Sequence, residues 1–114
     1  FQIVFGGGRR KFLRKTDLDP KTGEAGDRTD NRNLIQDWEN KMKNEGLTYK
    51  YVWNRTDFDS LRPGQYKRIL ALLNRDHMNY ELDRKKQLDE PSLTNMTIKA
   101  ITTLKTNPNG YFLL

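Results

Sequence analysis

The chain has 114 residues and a formal net charge of +6, with 34% hydrophobic and 32% charged residues. This length excludes more than one domain, and the apolar content is low for a core that is stable by itself. The absence of cysteine excludes disulfides and thiolate metal sites, and the short apolar runs at the chain ends resemble neither a membrane span nor a signal peptide.

The first predicted element is a strand. Phe1 to Phe5 is a short run of apolar and β-branched residues, after which Gly6 to Gly8 let the backbone turn. Residues 9–30 are polar and lack a periodic pattern, so we predict an irregular surface excursion there. Because the first run and the last one, Tyr111 to Leu114, both look like strands of a larger sheet, we expect the chain to be an internal segment of a larger domain.

A helix is predicted next. Apolar residues from Leu34 to Met42 recur at helical spacing, which indicates a helix of about three turns. Asp30 or Asn31 is available as its N-cap, and Gly46 is the predicted stop.

The second half of the chain repeats this alternation. Two strands are predicted at residues 48–53 and 66–73, joined by a loop, and an irregular surface excursion follows at 74–90. Pro91 suits the start of a helix because its missing N–H needs no partner there. The apolar face of this helix comprises Leu93, Met96, Ala100, Ile101 and Leu104. With a final strand at Tyr111 to Leu114, the order is β-α-β-β-α-β, which predicts the α/β class with a layered sheet.

The glycines and arginines from Gly6 to Arg10 leave two interpretations open. Free backbone N–H groups and positive charge suit a phosphate cradle. However, no Gly-Lys-Ser/Thr sequence ends the run and no helix follows at once, so a tight surface turn is favoured.

No catalytic residue is predicted in this chain. His77 is the only histidine, whereas a two-metal site draws on several histidines and carboxylates. Ser60 and Ser92 have no base nearby in sequence, and Ser92 suits a helix N-cap. The basic clusters Arg9 to Lys11 and Arg84 to Lys86 lack interleaved aromatic residues, which favours solvated surfaces over a nucleic-acid interface.

Two asparagines match the N-glycosylation pattern Asn-x-Ser/Thr. Asn54 follows a predicted strand and opens a loop, so it is the preferred acceptor. Asn95 lies in the first turns of a predicted helix, where its neighbours Leu93 and Met96 are expected to face inward.

Taken in order, these segments resemble the animal alkaline phosphatase family, and an invertebrate type of member in particular. The resemblance spans nearly the whole chain and rests on the order and spacing of short motifs. These motifs are Gly6–Arg10, Asn33–Trp38, Tyr51–Thr56, Met78–Arg84, Pro91–Leu93 with Met96 and Thr97, and Asn107–Leu113.

The resemblance implies a layered α/β sandwich with a large central sheet, and residues 1–114 would be an internal segment of its single catalytic domain. It also implies hydrolysis of phosphate monoesters through a phosphoserine intermediate, at a site with two zinc ions and one magnesium ion. In the family the serine lies before the Gly6 to Gly8 turn, and a stretch of metal ligands begins after Leu114. We therefore expect these residues alone to be inactive.

The resemblance further implies an extracellular protein on the plasma membrane, held by a glycolipid (GPI) anchor outside this chain and glycosylated at Asn54. The implied protein is a homodimer that acts on small phosphate monoesters, with no nucleic-acid partner. The alternative function is a small basic module that binds nucleic acid or another polyanion.

Vertebrate members of the family carry a peripheral calcium site, and the resemblance places its ligand positions in this chain. Lys21 replaces one acidic ligand, and Leu73 is followed by Asn74 instead of a glutamate. Asp89 or Glu90 keeps the remaining carboxylate. Because calcium affinity depends on ligand charge, calcium binding is in doubt. Lys21 is expected to pair with Asp89 or Glu90 in place of the ion, and the alternative is that Lys21 extends into solvent.

Overall fold

The computed structural model describes residues 2–86 and 88–114. Its centre is a parallel sheet formed by β1 (Ile3–Gly6), β2 (Tyr49–Val52) and β3 (Arg68–Leu72). The strand order is β1-β3-β2, so the last strand in sequence is the middle one in space. Ile3 pairs with Ile69 and Tyr49 pairs with Arg68. The strands are therefore aligned side by side, and their carboxyl ends lie at the same edge of the sheet.

β3 is covered on both faces, as its apolar sequence requires of a central parallel strand. Successive side chains alternate between the two faces of the sheet. Ile69 and Ala71 belong to one core cluster, which also includes Val52, Phe58, Leu61, Leu73 and Met96. Leu70 and Leu72 belong to a second core cluster, with Leu13 and Ile35.

The helices supply the cover. They are α1 (Leu34–Asn44), α2 (Arg55–Ser60), α3 (Glu81–Arg84) and α4 (Leu93–Leu104). Ile35 of α1 belongs to one core cluster, whereas Phe58 of α2 and Met96 of α4 belong to the other. The sheet is thus enclosed between helical layers, and the predicted α/β class is confirmed.

The ends of the long helices follow local chemistry. The N-cap of α1 is Asn33, whose side chain accepts a hydrogen bond from the Gln36 N–H at 3.1 Å, so the predicted Asp30 or Asn31 cap is wrong. Gly46 follows the helix with φ +65°, a left-handed conformation that glycine adopts without strain, and the predicted stop is confirmed. Ser92 caps α4 by accepting from the Asn95 N–H at 3.1 Å, which confirms the capping role.

Four predicted boundaries differ from the structure. A short 3-10 helix, Arg9–Lys11, directly follows Gly8, where no helix was expected. The predicted loop between β2 and β3 contains α2, whose cap is Asn54, and the excursion 74–90 contains α3. No strand forms at Tyr111 to Leu114, because no strand of the described sheet lies beside it and its backbone groups have no ladder partner. Phe1, the first residue of the first predicted strand, and Gln87, in the second excursion, lie outside the described residues.

Candidate functional site

Arg9 lies across the carboxyl ends of the strands and is completely buried. Its Nη1 donates to the carbonyl oxygens of Leu72, at 2.5 Å, and Trp53, at 3.2 Å. Its Nε and Nη2 donate to the two carboxylate oxygens of Asp19, at 2.7 and 3.0 Å. One guanidinium therefore joins the end of β3, the residue after β2 and the excursion 9–30. We call Arg9, Asp19 and the two carbonyl groups the Arg9 clamp.

Asp19 is only 2% exposed, yet its carboxylate is well satisfied. Besides Arg9 it accepts hydrogen bonds from the backbone N–H groups of Lys21, at 2.9 Å, and Thr22, at 3.0 Å. Burial alone would raise the pKa of Asp19, but these hydrogen bonds and the positive charge of Arg9 outweigh it and hold the pKa below its ordinary value. The carboxylate of Asp19 is therefore ionised at neutral pH, where it faces the guanidinium of Arg9.

The turn from Gly6 to Gly8 brings Arg9 to this position. Gly8 has φ +82°, and a Cβ atom on Gly7 would overlap the Asp76 carbonyl oxygen. Three successive N–H groups donate to the segment after β3: Gly8 to Asp76 at 2.6 Å, Arg9 to Asn74 at 3.2 Å and Arg10 to Arg75 at 3.0 Å. Since these three groups are already paired, the structure favours the tight-turn interpretation over the phosphate cradle.

Lys21 makes the contact predicted for it. Its Nζ lies 2.5 Å from Oδ2 of Asp89, so the excursion 9–30 is tied to the excursion 74–90 by a partly exposed ion pair. The alternative, a lysine extended into solvent, is wrong. Such a pair contributes about 0–1 kcal/mol to stability.

Glu90 has a different environment from Asp89. It is 1% exposed, and its carboxylate oxygens accept from the Asn79 N–H at 2.7 Å and from Asn74 Nδ2 at 3.0 Å. Its backbone carbonyl accepts from Arg55 at 3.0 Å and from Arg84 at 3.5 Å. Glu90 therefore joins the end of β3 to the chain that enters α4.

These residues do not fit a calcium ion. Both carboxylate oxygens of Glu90 already accept hydrogen bonds, and the Asn74 amide oxygen accepts from the Asp76 N–H at 2.9 Å. The ammonium of Lys21 occupies Asp89 and would repel a cation. Within residues 2–86 and 88–114, no group of three or more His, Cys, Asp or Glu side chains is arranged to hold a metal ion.

Neighbouring carboxylates balance the charge of both basic clusters. Arg10 lies 3.0 Å from Asp27 and 2.9 Å from Asp76, and Lys11 lies 2.9 Å from Asp27. In the second cluster, Arg84 and Lys85 pair with Glu81 and Lys86 pairs with Asp83. A polyanion would have to displace these carboxylates, which disfavours the alternative function as a polyanion-binding module.

The two glycosylation motifs differ in accessibility. Asn54 is half-buried and caps α2, where its Oδ1 accepts from the Asp57 N–H at 2.8 Å and its Nδ2 donates to Asp57 Oδ2 at 2.9 Å. Asn95 is exposed on α4. Met96 faces inward as predicted, but Leu93 is 74% exposed, so that part of the prediction is wrong. Glycosylation of Asn54 stays a prediction.

Sequence reasoning missed the Arg9 clamp. Arg9 stands in a run of basic residues that favoured a solvated surface, and Asp19 lies in the polar excursion 9–30, where no periodic pattern marks it. The partners of Arg9 are residues 19, 53 and 72, and no local pattern connects them. An arginine directly after a strand and a glycine turn was the one available signal.

A parallel sheet between helical layers, with long excursions at the carboxyl ends of its strands, defines a layered α/β protein. No helix among the described residues has the length and apolar character needed to cross a membrane. The family model for alkaline phosphatase matches residues 1–114, and the chain belongs to the alkaline phosphatase family.

Curated relatives agree with this assignment. The chain is 40% identical to the membrane-bound alkaline phosphatase of Bombyx mori, over 99% of this chain and 20% of the relative. It is 37% identical to the alkaline phosphatase of Gadus morhua, over 98% of this chain and 24% of the relative. It is 35% identical to the human tissue-nonspecific isozyme, over 98% of this chain and 22% of the relative. The chain thus spans about a fifth to a quarter of the length of these relatives.

Proposed function

We propose that this chain is part of an enzyme that hydrolyses phosphate monoesters. The observation that carries the proposal is the family match over residues 1–114, together with relatives named alkaline phosphatase at 35–40% identity. Because the chain spans only 20–24% of three of these relatives, the reaction is proposed for the complete protein, meaning the product of the whole coding sequence that includes these residues.

The segment's role in that enzyme is to build part of the frame of the active site. In α/β sheets ligands bind beyond the carboxyl ends of the strands. At this edge the Arg9 clamp fixes the end of β3 to the residue after β2. The nucleophilic serine and the residues that hold zinc and magnesium would lie outside these residues. Bound metal ions would stabilise charge on the attacking and leaving oxygens.

The complete protein is further proposed to be a homodimer on the outer face of the plasma membrane, held by a glycolipid anchor and glycosylated at Asn54. The membrane location is supported by the name of the Bombyx mori relative, a membrane-bound alkaline phosphatase.

We expect the complete protein to hydrolyse p-nitrophenyl phosphate in the presence of zinc and magnesium, and residues 1–114 alone to show no turnover. The reason is that the segment lacks a cluster of metal ligands within its described residues. Release of p-nitrophenol by each purified protein is the measurement. A complete protein that is folded, metal-loaded and inactive on several monoesters would contradict the proposed function.

The peripheral site is proposed to be metal-free, with the Lys21 to Asp89 pair in place of the ion. We expect the thermal midpoint of the complete protein to be unchanged when calcium is added at constant, saturating zinc and magnesium. The double substitution Lys21→Glu and Asn74→Glu should create calcium-dependent stabilisation, about 2.7 kcal/mol when calcium is at 100 times its Kd.

Lys21→Met is the matched control, because it removes the ammonium without adding a carboxylate, and it should not respond to calcium. Equilibrium dialysis with radioactive calcium gives a second readout that is independent of activity. Tight calcium binding by the unsubstituted protein would rule out the metal-free site.

A further inference from the structure

Within this segment of the complete protein, the side chain of Asn95 on α4 is accessible. The buried residues of this helix are Met96, Ala100, Thr103 and Leu104, which recur at helical spacing on one face. Asn95 is the third residue of the helix, and it lies on the flank of that face and is exposed. Its backbone N–H donates to Ser92 Oγ, so the N-cap uses the main chain of Asn95 and leaves its side-chain amide for other chemistry.

A partly apolar groove runs beside Asn95, between α2 and α4. The groove has a volume of about 290 Å³, and its lining includes Leu61, Pro63, Asn95 and Ile98. Ile98 is 56% exposed, although it is a large apolar side chain. The C–H face of a sugar attached to Asn95 would contact this groove and cover Ile98.

Asn54, the other acceptor, is less available in the folded chain. It is half-buried, and both heteroatoms of its side chain are hydrogen-bonded to Asp57. A glycan on Asn54 must leave room for the hydrogen bonds that cap α2. Among the described residues, the Asn95 side chain makes no hydrogen bond that a glycan would displace.

We propose that Asn95 of the complete protein carries an N-linked glycan whose first sugar covers the groove between α2 and α4. The acceptor sequence is Asn95-Met96-Thr97. The donor is an oligosaccharide on a lipid diphosphate. The amide nitrogen Nδ2 of Asn95 forms a bond to C1 of the first sugar, the bond from C1 to the phosphate oxygen breaks, the lipid diphosphate leaves, and the amide loses one proton. The inference rests on the proposed extracellular location, because this transfer takes place in the secretory pathway.

Peptide mapping of the complete protein, secreted from insect cells, tests the site directly. Trypsin separates the two acceptors, because Asn54 falls in the peptide 51–55 and Asn95 in the peptide 87–99. We expect the unmodified peptide 87–99 to be largely absent. After peptide-N-glycosidase in ¹⁸O-labelled water, it should appear with labelled aspartate at position 95. A secreted, active phosphatase in which peptide 87–99 is unmodified would overturn the inference and leave the proposed function intact.

Two substitutions at Thr97 provide matched variants. The Thr97 hydroxyl is required for glycan transfer, and among the described residues it donates a hydrogen bond to the Leu93 carbonyl, at 2.9 Å. Thr97→Ser keeps the hydroxyl and should keep the glycan, whereas Thr97→Val should lose the mass of one glycan.

A second measurement tests whether the sugar covers the groove. If it does, Thr97→Val should also bind more of an apolar fluorescent dye than Thr97→Ser. Equal glycan mass in the two variants contradicts the site, and equal dye binding contradicts the covered groove. A glycosylated protein without phosphatase activity would instead count against the proposed function alone.

Discussion

Replacing Arg9 by methionine is expected to destabilise the complete protein by about 3–5 kcal/mol, the cost of removing one partner of a buried ion pair. Methionine fills a similar volume but leaves the carboxylate of Asp19 buried without its cation. The carbonyl oxygens of Leu72 and Trp53 also lose their donor. Urea-induced unfolding, followed by tryptophan fluorescence, measures the loss.

The neighbouring arginine is the matched control for this experiment. Arg10 pairs with Asp27 and Asp76, but its side chain is 28% exposed, so Arg10→Met should cost about 0–1 kcal/mol for each pair lost. The double variant Arg9→Met with Asp19→Asn should be more stable than Arg9→Met alone, because it removes the unpaired buried charge. Equal losses for Arg9→Met and Arg10→Met would show that the clamp is not a special contact.

The clamp also determines how stability depends on pH. The pKa of Asp19 is lowered from its ordinary value of 3.8, so the stabilisation is fully present above that value. It is lost as the pH falls through the lower pKa of the folded state. The difference in stability between the unsubstituted protein and Arg9→Met should therefore be constant from neutral to alkaline pH and shrink only in acid.

The second large effect is expected at Gly7. In Gly7→Ala the new Cβ would overlap the carbonyl oxygen of Asp76 and crowd the backbone nitrogen of Met78. Because both obstacles are backbone atoms, the turn must move away from the segment after β3. We expect a loss of about 1–3 kcal/mol from overpacking, with a further loss for each of the three turn hydrogen bonds that weakens.

The adjacent glycine provides the control for Gly7. A Cβ on Gly6 would meet no atom within 4 Å, so Gly6→Ala should be nearly neutral. Thermal unfolding of the two single variants of the complete protein, at the same pH and metal content, is the comparison. Similar midpoints for the two variants would mean that the turn can relax without leaving the segment after β3.

The parts of this fold that depend on neighbours in sequence could be predicted. The stop of α1 at Gly46 and the cap of α4 at Ser92 follow from the conformations and hydrogen bonds of a few consecutive residues. β3 could be predicted because a run of buried apolar residues suits a covered parallel strand. The Lys21 to Asp89 pair was expected because the resemblance aligned both positions with one site.

The parts that depend on distant residues could not be predicted. The burial of Arg9 requires partners contributed by the excursion 9–30 and by the ends of two other strands. The exposure of Leu93 has a related cause, since an apolar residue at helical spacing is buried only when another element lies against it. At Tyr111 to Leu114 an apolar run suggested a strand, but strand formation needs a neighbouring strand and not composition alone.

The strand order has a consequence for synthesis on the ribosome. Among the described residues, β1 and β2 are each paired with β3, which is translated after both of them. At rates of about 5–20 residues per second, the interval between β1 and β3 lasts several seconds. During that interval β1 lacks its pairing with β3, and Arg9 lacks the carbonyl group of Leu72. The pairing of β3 with β1 and β2, and the hydrogen bond from Arg9 to Leu72, therefore cannot form until β3 has been translated.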